Sequence, residues 1–405
     1  MIMPSKLLRP PEGVYTRRAF LRVAGTGAIA VAGGGLLAAC LPSGGATSAP
    51  SVGGSSAVPS GAGASPSAGA VGGDFNIFTW GGYEGSGIID DWYSANGLKL
   101  NAKAISTPGG IPTTIQQGGW DASSVNQGDA EYYAELGIAS EITVDDVPAL
   151  ARMLPFFRDG ALFKIRDGVY NSVPWTWGPI AFMARPDRIP EGTITSYFDL
   201  TKPEFAGRLE TFDDPLNMVA TGAVANGLNP GALTREELNG PVRDYLVQLQ
   251  PSLKILAGSI GDQVNNLVAG DVDGSLVGFT YGVSEVRKAG VDAYFLVPEK
   301  EGAFGFCDAV FIPPDAEHRA NAIAYANALM EEETAAALQT AFVQLSTNPE
   351  VIAQASPEVL ATYPQDLDAY TSDTLKWNKS YYDPNGKYAT IEEWTALWEE
   401  VKAQN

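Results

Sequence analysis

The sequence is poor in the side chains that many catalytic and metal sites need. It has one histidine, His318, and two cysteines, Cys40 and Cys307, so a disulfide framework is excluded. A histidine-dependent catalytic triad has this one residue to draw on, and a Cys/His zinc site lacks ligands. His318 lies in Asp315-Ala316-Glu317-His318-Arg319, which is typical of the polar start of a surface helix. We therefore expect no metal, no cofactor and no enzyme activity.

Basic side chains are few relative to acidic ones. The chain has 26 Lys and Arg against 47 Asp and Glu, and its net charge is −21. Its first 39 residues carry five basic side chains and one acid, so the remaining chain has a net charge of −25. A field of this sign opposes nucleic acid and anionic lipid and favours cationic ligands, although an acidic surface also commonly serves solubility. We expect no nucleic-acid partner.

Residues 1–39 are typical of an export signal. Arg17 and Arg18 precede an apolar, Gly- and Ala-rich stretch that ends at Ala39, which resembles a twin-arginine signal. The stretch is short and rich in glycine, so a permanent transmembrane helix is the poorer interpretation. It runs into Leu37-Ala38-Ala39-Cys40, which looks like the lipobox of bacterial lipoproteins. We expect an exported protein that is lipidated at Cys40 and anchored to the outer face of the cytoplasmic membrane, in a periplasm or at the cell surface.

Residues 40–73 predict the lipidated cysteine followed by a flexible linker. From Leu41 to Gly73 the chain is dominated by Ser, Gly, Ala and Pro and has no charged residue. Such a segment cannot bury enough apolar surface to offset its ordering entropy. A tether of this kind lets a globular domain sample the membrane surface, and it suits importer receptors, anchored enzymes and adhesins alike.

The rest of the chain alternates short β-rich runs with helical stretches, which predicts an α/β fold with covered sheets. A length of 405 residues with 45% hydrophobic side chains predicts more than one core. The clearest strand candidates are Phe75 to Trp80, Ala122 to Val125, Ser275 to Thr280, Ala293 to Val297 and Ala309 to Ile312.

Two helix starts carry a capping box, in which a threonine precedes a glutamate by three residues. One is Thr234 with Glu237 and the other is Thr390 with Glu393. The helix after Thr390 places Trp394 and Trp398 on one face, and apolar residues at helical spacing usually pack inward. We expect this last helix to dock through its tryptophans.

Several segments, in the same order, resemble the spermidine/putrescine-binding proteins of ABC importers. The resemblance covers roughly Phe75 to the C-terminus. The segments that carry it are Phe78-Thr79-Trp80-Gly81-Gly82-Tyr83, Val173-Pro174-Trp175-Thr176-Trp177-Gly178, Thr195-Ser196-Tyr197-Phe198-Asp199-Leu200-Thr201-Lys202-Pro203-Glu204-Phe205-Ala206-Gly207, Leu209-Glu210-Thr211-Phe212-Asp213-Asp214, Ala269-Gly270-Asp271-Val272 and Gly302-Ala303-Phe304-Gly305-Phe306-Cys307-Asp308.

The resemblance implies a type II periplasmic-binding-protein-like fold, with two α/β lobes joined by a hinge. The family's crossovers place the first lobe at 74–176 plus 309–353 and the second at 177–308 plus 354–405. It also implies a monomer that delivers a small cationic solute to an ABC permease. The ligand residues that it implies are Trp80, Tyr83, Asp214, Phe279, Phe306, Asp308 and Asn378.

These residue types suit a flexible amine, which has protonated nitrogens joined by methylenes. Carboxylates accept charge-assisted hydrogen bonds from an ammonium, and aromatic faces add cation–π attraction of about 0.5–2 kcal/mol. A competing interpretation reads Asp213 and Asp214, before Pro215, as an N-cap and first turn, and Phe279 and Phe306 as strand core. Cys307 is expected to be a small buried thiol.

The chain departs from the family at two acidic positions. The acid two residues beyond the first-strand tryptophan is Gly82 here, and the acid three residues after the aspartate is Asn217. Glu84 is a candidate for partial replacement. Fewer negative charges argue against a triamine and leave a diamine, a monoamine or another small polar solute.

Three other functions stay open from the sequence. Tyrosine pairs at 132–133 and 381–382 could offer phenolates to ferric iron, although such pairs are ordinary in strands and helices. A lipid-anchored hydrolase could use Asp213, Asp214 or Asp308 as paired acids. A surface adhesin would need repeats, and we find none.

Overall fold

The computed structural model describes residues 70–106 and 108–404. The sites predicted at Arg17, Arg18 and Cys40, and most of the predicted linker, lie outside the described residues. The first strand begins at Gly73, the last residue of that linker. In the part of the chain that is described, no helix has both the length and the apolar character to span a membrane.

The strands are short apart from two that are buried along their whole length, β7 and β12. In chain order they are β1 Gly73–Thr79, β2 Leu98–Ala104, β3 Ala122–Asn126, β4 Ile142–Thr143, β5 Lys164–Arg166, β6 Val169–Tyr170, β7 Val173–Ala184, β8 Leu209–Phe212, β9 Leu253–Ala257, β10 Gly274–Gly278, β11 Tyr294–Leu296, β12 Ala303–Phe311, β13 Leu345–Ser346 and β14 Leu375–Trp377.

The helices alternate with these strands. They are α1 Asp90–Ala95, α2 Ile111–Gln116, α3 Ala130–Glu135, α4 Pro155–Asp159, α5 Pro215–Ala225, α6 Arg235–Glu237, α7 Arg243–Leu249, α8 Ile260–Ala269, α9 Thr280–Lys288, α10 Arg319–Ala328, α11 Glu332–Phe342, α12 Pro349–Ile352, α13 Pro357–Leu360, α14 Leu367–Ala369 and α15 Ile391–Lys402. Short 3₁₀ turns cover Pro108–Gly110, Pro148–Arg152, Tyr197–Thr201, Pro203–Phe205, Pro230–Ala232 and Gln250–Ser252, and π-helical turns cover Leu238–Val242 and Tyr370–Thr374.

Most strands of the described residues join one mixed sheet in the order β2-β1-β3-β12-β7-β10-β8-β9. At one end β1 runs parallel to β2 and β3, and at the other β8 runs parallel to β9 and β10. The central pair, β7 and β12, is antiparallel. A small separate sheet has the order β4-β6-β5. The two long strands therefore join the two ends of the sheet.

Two large hydrophobic cores lie along this sheet. The first is built from residues 75–181 together with 303–375, and the second from residues 180–306 together with 389–401. The cores divide the central strands residue by residue, since Cys307 packs in the first and Phe304 and Phe306 in the second. Alternate residues of a strand point to opposite faces, which explains the division.

The predicted lobe boundaries stay a prediction. Buried side chains between Ala355 and Leu375 pack in the first core, although the expected boundary assigns 354–405 to the second lobe. The C-terminal helix α15 packs in the second core through Trp394 and Trp398, each 1% exposed. The prediction that these tryptophans are core is confirmed.

Local signals locate several elements correctly. Both capping boxes form, with the Thr234 side chain accepting from the Glu237 amide and the Thr390 side chain from the Glu393 amide. His318 is the N-cap of α10, and its ring also lies 3.2 Å from the buried carboxylate of Asp121.

The strand expected to end at Thr280, β10, ends instead at Gly278. Phe279 is then the N-cap of α9, and Thr280 is its first residue.

Candidate ligand-binding site

The first group of predicted site residues converges on Asp308. This residue lies in β12 opposite Thr176 and Asn126, and it is 8% exposed. The Tyr83 hydroxyl donates to its Oδ2 at 2.9 Å, and Asn126 Nδ2 donates to its Oδ1 at 3.1 Å. Burial raises the pKa of Asp308 to about 6, against the lowering effect of these hydrogen bonds.

The aromatic neighbours of Asp308 are Tyr83 and Trp80, which follow the end of β1. Burial, and then the Asp308 carboxylate, raises the pKa of Tyr83 well above its usual value, so the phenol stays protonated and donates. The Trp80 indole N–H is buried and forms no hydrogen bond of normal geometry with any described residue. It lies close enough to Asp308 to lower the carboxyl pKa. The geometry thus aims two donors of the first-strand segment at one carboxylate.

A second group forms an aromatic wall on the side of the second core. Phe279 lies 6.1 Å from Phe306 between ring centroids, at 67°, and 6.3 Å from Phe212, at 75°. Phe306 and Asp308 are two residues apart in β12 and share a face of that strand. We define the aromatic wall as Phe212, Phe279 and Phe306. Phe306 is 6% exposed and packs in the second core, as the strand-core interpretation expects, and its ligand role stays a prediction.

Asp214 follows Phe212 of the aromatic wall by two residues and is the N-cap of α5. Its Oδ1 accepts from the Leu216 amide at 2.9 Å, and its Oδ2 accepts from Asn217 Nδ2 at 2.7 Å. Burial raises the pKa of Asp214 to about 6, while these hydrogen bonds lower it. The N-cap interpretation therefore holds for Asp214. Asp213, in contrast, accepts from Trp398 Nε1 and Lys402 Nζ at 2.8 and 2.9 Å.

Asn378 belongs to neither group, but hydrogen bonds through Gln127 link it to β12. It follows β14 and is 6% exposed. Its Oδ1 accepts from Gln127 Nε2, and Gln127 Oε1 accepts from the Cys307 amide at 2.8 Å. Asn378 is thus connected to the backbone between Phe306 and Asp308. Cys307 itself is fully buried, as predicted, and burial raises its thiol pKa.

Three polar residues beside Asp308 were not identified from the sequence. These are Asn126, Thr176 and Gln344, whose Oε1 accepts from Thr176 Oγ1 at 3.0 Å and lies 3.3 Å from the Tyr83 hydroxyl. Asn126 ends β3, and its position at a carboxyl-terminal strand end was a usable signal. No sequence signal identified Gln344, because it follows helix α11 and contacts residues more than 160 positions away.

Three of the four tyrosines of the iron hypothesis, Tyr132, Tyr133 and Tyr382, lie near one another, and Tyr133 and Tyr382 lie near Asp129, whereas Tyr381 bonds elsewhere. Tyr132 and Tyr382 stack at 3.7 Å between ring centroids, and Tyr382 donates to Asp129 at 2.8 Å. Tyr381 donates to the Gly231 carbonyl at 2.9 Å. Tyr133 is buried, with its ring edge-on to Phe311. Within residues 70–106 and 108–404, no group of three or more His, Cys, Asp or Glu side chains is placed to hold a metal ion.

The fold is that of the two-lobed periplasmic binding proteins, as predicted. The TpPotD lipoprotein of Treponema pallidum superimposes with a TM-score of 0.66 at 14% identity, over 82% of this chain and 99% of that chain. The spermidine/putrescine transporter substrate-binding protein PotD of Streptococcus pneumoniae gives 0.64 at 18% identity, over 82% and 98%. The MotA binding protein of A. tumefaciens, in complex with glucopine, gives 0.63 at 16%, over 81% and 99%.

The curated relatives carry the resemblance to a more specific group. Spermidine/putrescine-binding periplasmic protein 1 of Haemophilus influenzae is 22% identical over 332 residues, which cover 81% of this chain and 88% of that protein. The putrescine-binding protein PotF of Escherichia coli is 24% identical over 203 residues, which cover 46% and 54%. No protein-family model matches the sequence. The predicted resemblance to spermidine/putrescine-binding proteins is confirmed, and these relatives are binding proteins.

Proposed function

We propose that the chain is the solute-binding component of an ABC importer and binds a small cationic amine, of the putrescine/spermidine type, between its two cores. The observation that carries this proposal is the environment of Asp308. Its carboxylate is buried against Tyr83 and Asn126, and among the described residues no Lys, Arg or His contributes to its pKa. A buried carboxylate without a counter-ion is unfavourable, and a ligand ammonium would supply the missing charge.

The surrounding residue types support the same ligand class. Trp80 and Tyr83 lie on one side of Asp308, and the aromatic wall begins two residues away at Phe306. An ammonium held by Asp308 would place its alkyl chain along these rings, which bury methylene groups and attract the cation. Asp214, two residues after Phe212 of the wall, would meet a second amine. Asn378 would contribute a polar contact from β14.

The two departures from the family favour a diamine over a triamine. Glu84, the candidate replacement acid, accepts a hydrogen bond from the Gly82 amide at 3.0 Å on the exposed side of the turn. Asn217 donates to Asp214 and so partly satisfies that carboxylate. We therefore propose Asp308 and Asp214 as the two anionic partners for the two amines of a diamine.

The proposal extends to the remaining parts of the chain. The protein is exported through the signal around Arg17 and Arg18 and anchored through a lipid on Cys40. It acts as a monomer of two lobes that close on the solute, and the closed form docks on a membrane permease. The relatives' descriptions as periplasmic binding proteins support export.

The direct test is thermal unfolding of the soluble domain from Gly73 onward with putrescine, spermidine, agmatine, butylamine and ferric citrate. A ligand that binds only the folded state raises the melting temperature by mass action. We expect putrescine to give a shift, and Asp308→Asn to abolish it. Asp373→Asn is the matched control, because it removes an exposed carboxylate that is not among the predicted site residues, and it should leave the shift intact.

Each other outcome has a defined meaning. A shift with ferric citrate alone would replace the amine by iron, and a shift with butylamine equal to that with putrescine would remove the role of Asp214. If no amine shifts the unfolding temperature and a glycoside panel releases sugar, the protein is a hydrolase and the receptor proposal is wrong.

A further inference from the structure

A buried hydrogen bond joins the two cores beside the site. Thr280 Oγ1 donates to the Val343 carbonyl at 2.7 Å, and these residues are only 4% and 5% exposed. Thr280 is the first residue of α9 and directly follows Phe279 of the aromatic wall. Val343 ends α11 and packs in the first core. The bond therefore links a predicted ligand residue to the opposite core.

Val343 makes this bond from a backbone conformation that valine rarely adopts. Its φ is 53° and its ψ is 39°, in the left-handed region that normally takes glycine at a helix end. The turn ends α11 with the Gln344 amide donating to the Gln339 carbonyl at 3.3 Å. The same turn presents the Val343 carbonyl to Thr280 and leads into Gln344, which lies beside Tyr83. A disfavoured conformation at a β-branched residue persists when surrounding contacts hold it.

Aromatic contacts join the same two segments. The Phe342 ring lies 5.3 Å from the Tyr83 ring and 6.2 Å from the Tyr281 ring, between centroids. Tyr281 follows Thr280, and Phe342 precedes Val343. Burial raises the pKa of the Tyr363 phenol, and a hydrogen bond with Thr280 acts against that shift, which places this first-core hydroxyl at the junction as well. We call Thr280, Tyr281, Phe342 and Val343 the junction.

We propose that Thr280 is a positioning residue for ligand binding: through Val343 it holds the aromatic wall against Tyr83 and Asp308, and thereby slows ligand release. The inference rests on the proposed function for its ligand and on the junction geometry for its mechanism. A contact that holds the two sides of a site together is expected to act mainly on the dissociation rate, because most affinity differences between related complexes lie in that rate. The hydroxyl itself need not touch the ligand.

The test compares three substitutions by stopped-flow measurement of putrescine release. Thr280→Val preserves shape and leaves the Val343 carbonyl without its donor, so we expect release to be about tenfold faster, which corresponds to about 1.4 kcal/mol. Thr280→Ser retains a hydroxyl and should stay within about twofold of wild type. Thr395→Val is the matched control, since Thr395 Oγ1 bonds the Ile391 carbonyl on the exposed face of α15, and it should release putrescine at the wild-type rate.

A second measurement separates the junction from the identity of the ligand. In the ligand-free protein, amide hydrogen exchange across residues 339–346 should be faster in Thr280→Val than in Thr280→Ser. If wild type binds no putrescine but this difference appears, the proposed ligand is wrong and the junction is retained. Equal exchange and equal release rates in the two variants would overturn the inference. If Thr280→Val does not fold, Tyr281→Ala breaks the ring contact across the junction and should also release putrescine faster; an unchanged rate would overturn the inference.

Discussion

Replacing Glu210 with glutamine should make the protein more stable than wild type at alkaline pH. Glu210 is 0% exposed in β8, and its Oε2 accepts from Asn266 Nδ2 at 2.7 Å. Its Oε1 is buried without a hydrogen-bond partner among the described residues, and the same is true of Gln263 Oε1 on helix α8. Burial raises the pKa of Glu210 from 4.5 to about 8, opposed by Asn266 and assisted by Asp262. The buried carboxyl is therefore protonated at neutral pH.

The sign and size of the effect follow from proton linkage. Because the folded-state pKa lies above the unfolded value, the folded state binds the proton more tightly. The stability it contributes is complete below pH 4.5 and is lost as the pH rises towards 8. At ~1.4 kcal/mol per pH unit, the loss is roughly 3 kcal/mol at pH 7 and 4–5 kcal/mol above pH 8, to order of magnitude. A glutamine is neutral at every pH and escapes this loss.

Urea unfolding at pH 4.5, 6, 7.5 and 9 measures the difference directly. The unfolding free energy of wild type minus that of Glu210→Gln should fall across this series and level off above pH 8. Glu299→Gln, which changes an exposed glutamate, serves as the control and should show a difference that hardly varies with pH. A Glu210→Gln difference that is constant, or that rises with pH, would refute the account of a protonated buried carboxyl.

Three further outcomes are expected. Putrescine affinity should weaken by up to about tenfold per pH unit below pH 6, because protonation of Asp308, with its pKa of about 6, removes the ligand's counter-charge. Calorimetric titration measures the affinity at pH 5 and pH 7.5, and equal values would contradict this prediction. In Gly178→Ala the new Cβ would lie 2.9 Å from Tyr363 Oη and 3.0 Å from Phe306 Cε1. The free energy of unfolding should therefore drop by ~1–3 kcal/mol, and putrescine binding should weaken. Gly109→Ala is the control, because nothing lies within 4 Å of its new Cβ, and it should unfold thermally as wild type does. Asn321→Ala should lower the free energy of urea unfolding by about 1–3 kcal/mol, because this buried amide bonds the Gly72 amide and carbonyl and the Asp74 carbonyl at the start of β1; an unchanged midpoint would count against it.

Features set by neighbouring residues were predictable from the sequence. The capping boxes at Thr234 and Thr390 depend on residues three positions apart, and both form. The placement of Phe306 and Asp308 on one face of a strand follows from their spacing of two. The N-cap interpretation of Asp214 came from the proline after it and is confirmed, whereas the ligand role that the resemblance implies stays a prediction.

Features set by distant contacts were not predictable in this way. Asn126 reaches Asp308 across 182 positions, and Gln344 reaches Thr176 across 168. The early end of β10 reflects an irregularity in its pairing with β7, where Val277 takes a φ of 53° and moves Phe279 to the start of a helix. Nothing in Ser275 to Thr280 signals this, because β-branched residues normally favour an extended strand.

The sharing of β7 and β12 between the cores has a consequence for folding order. The first core takes residues from two separate stretches of the chain, 75–181 and 303–375, and its last strand, β14, ends at Trp377. During synthesis this core stays incomplete until β14 has left the ribosome, although its first strand, β1, already ends at Thr79. Contacts of such long sequence separation form slowly. We therefore expect the two lobes to become native together and late, in one cooperative step, with no independently stable N-terminal half.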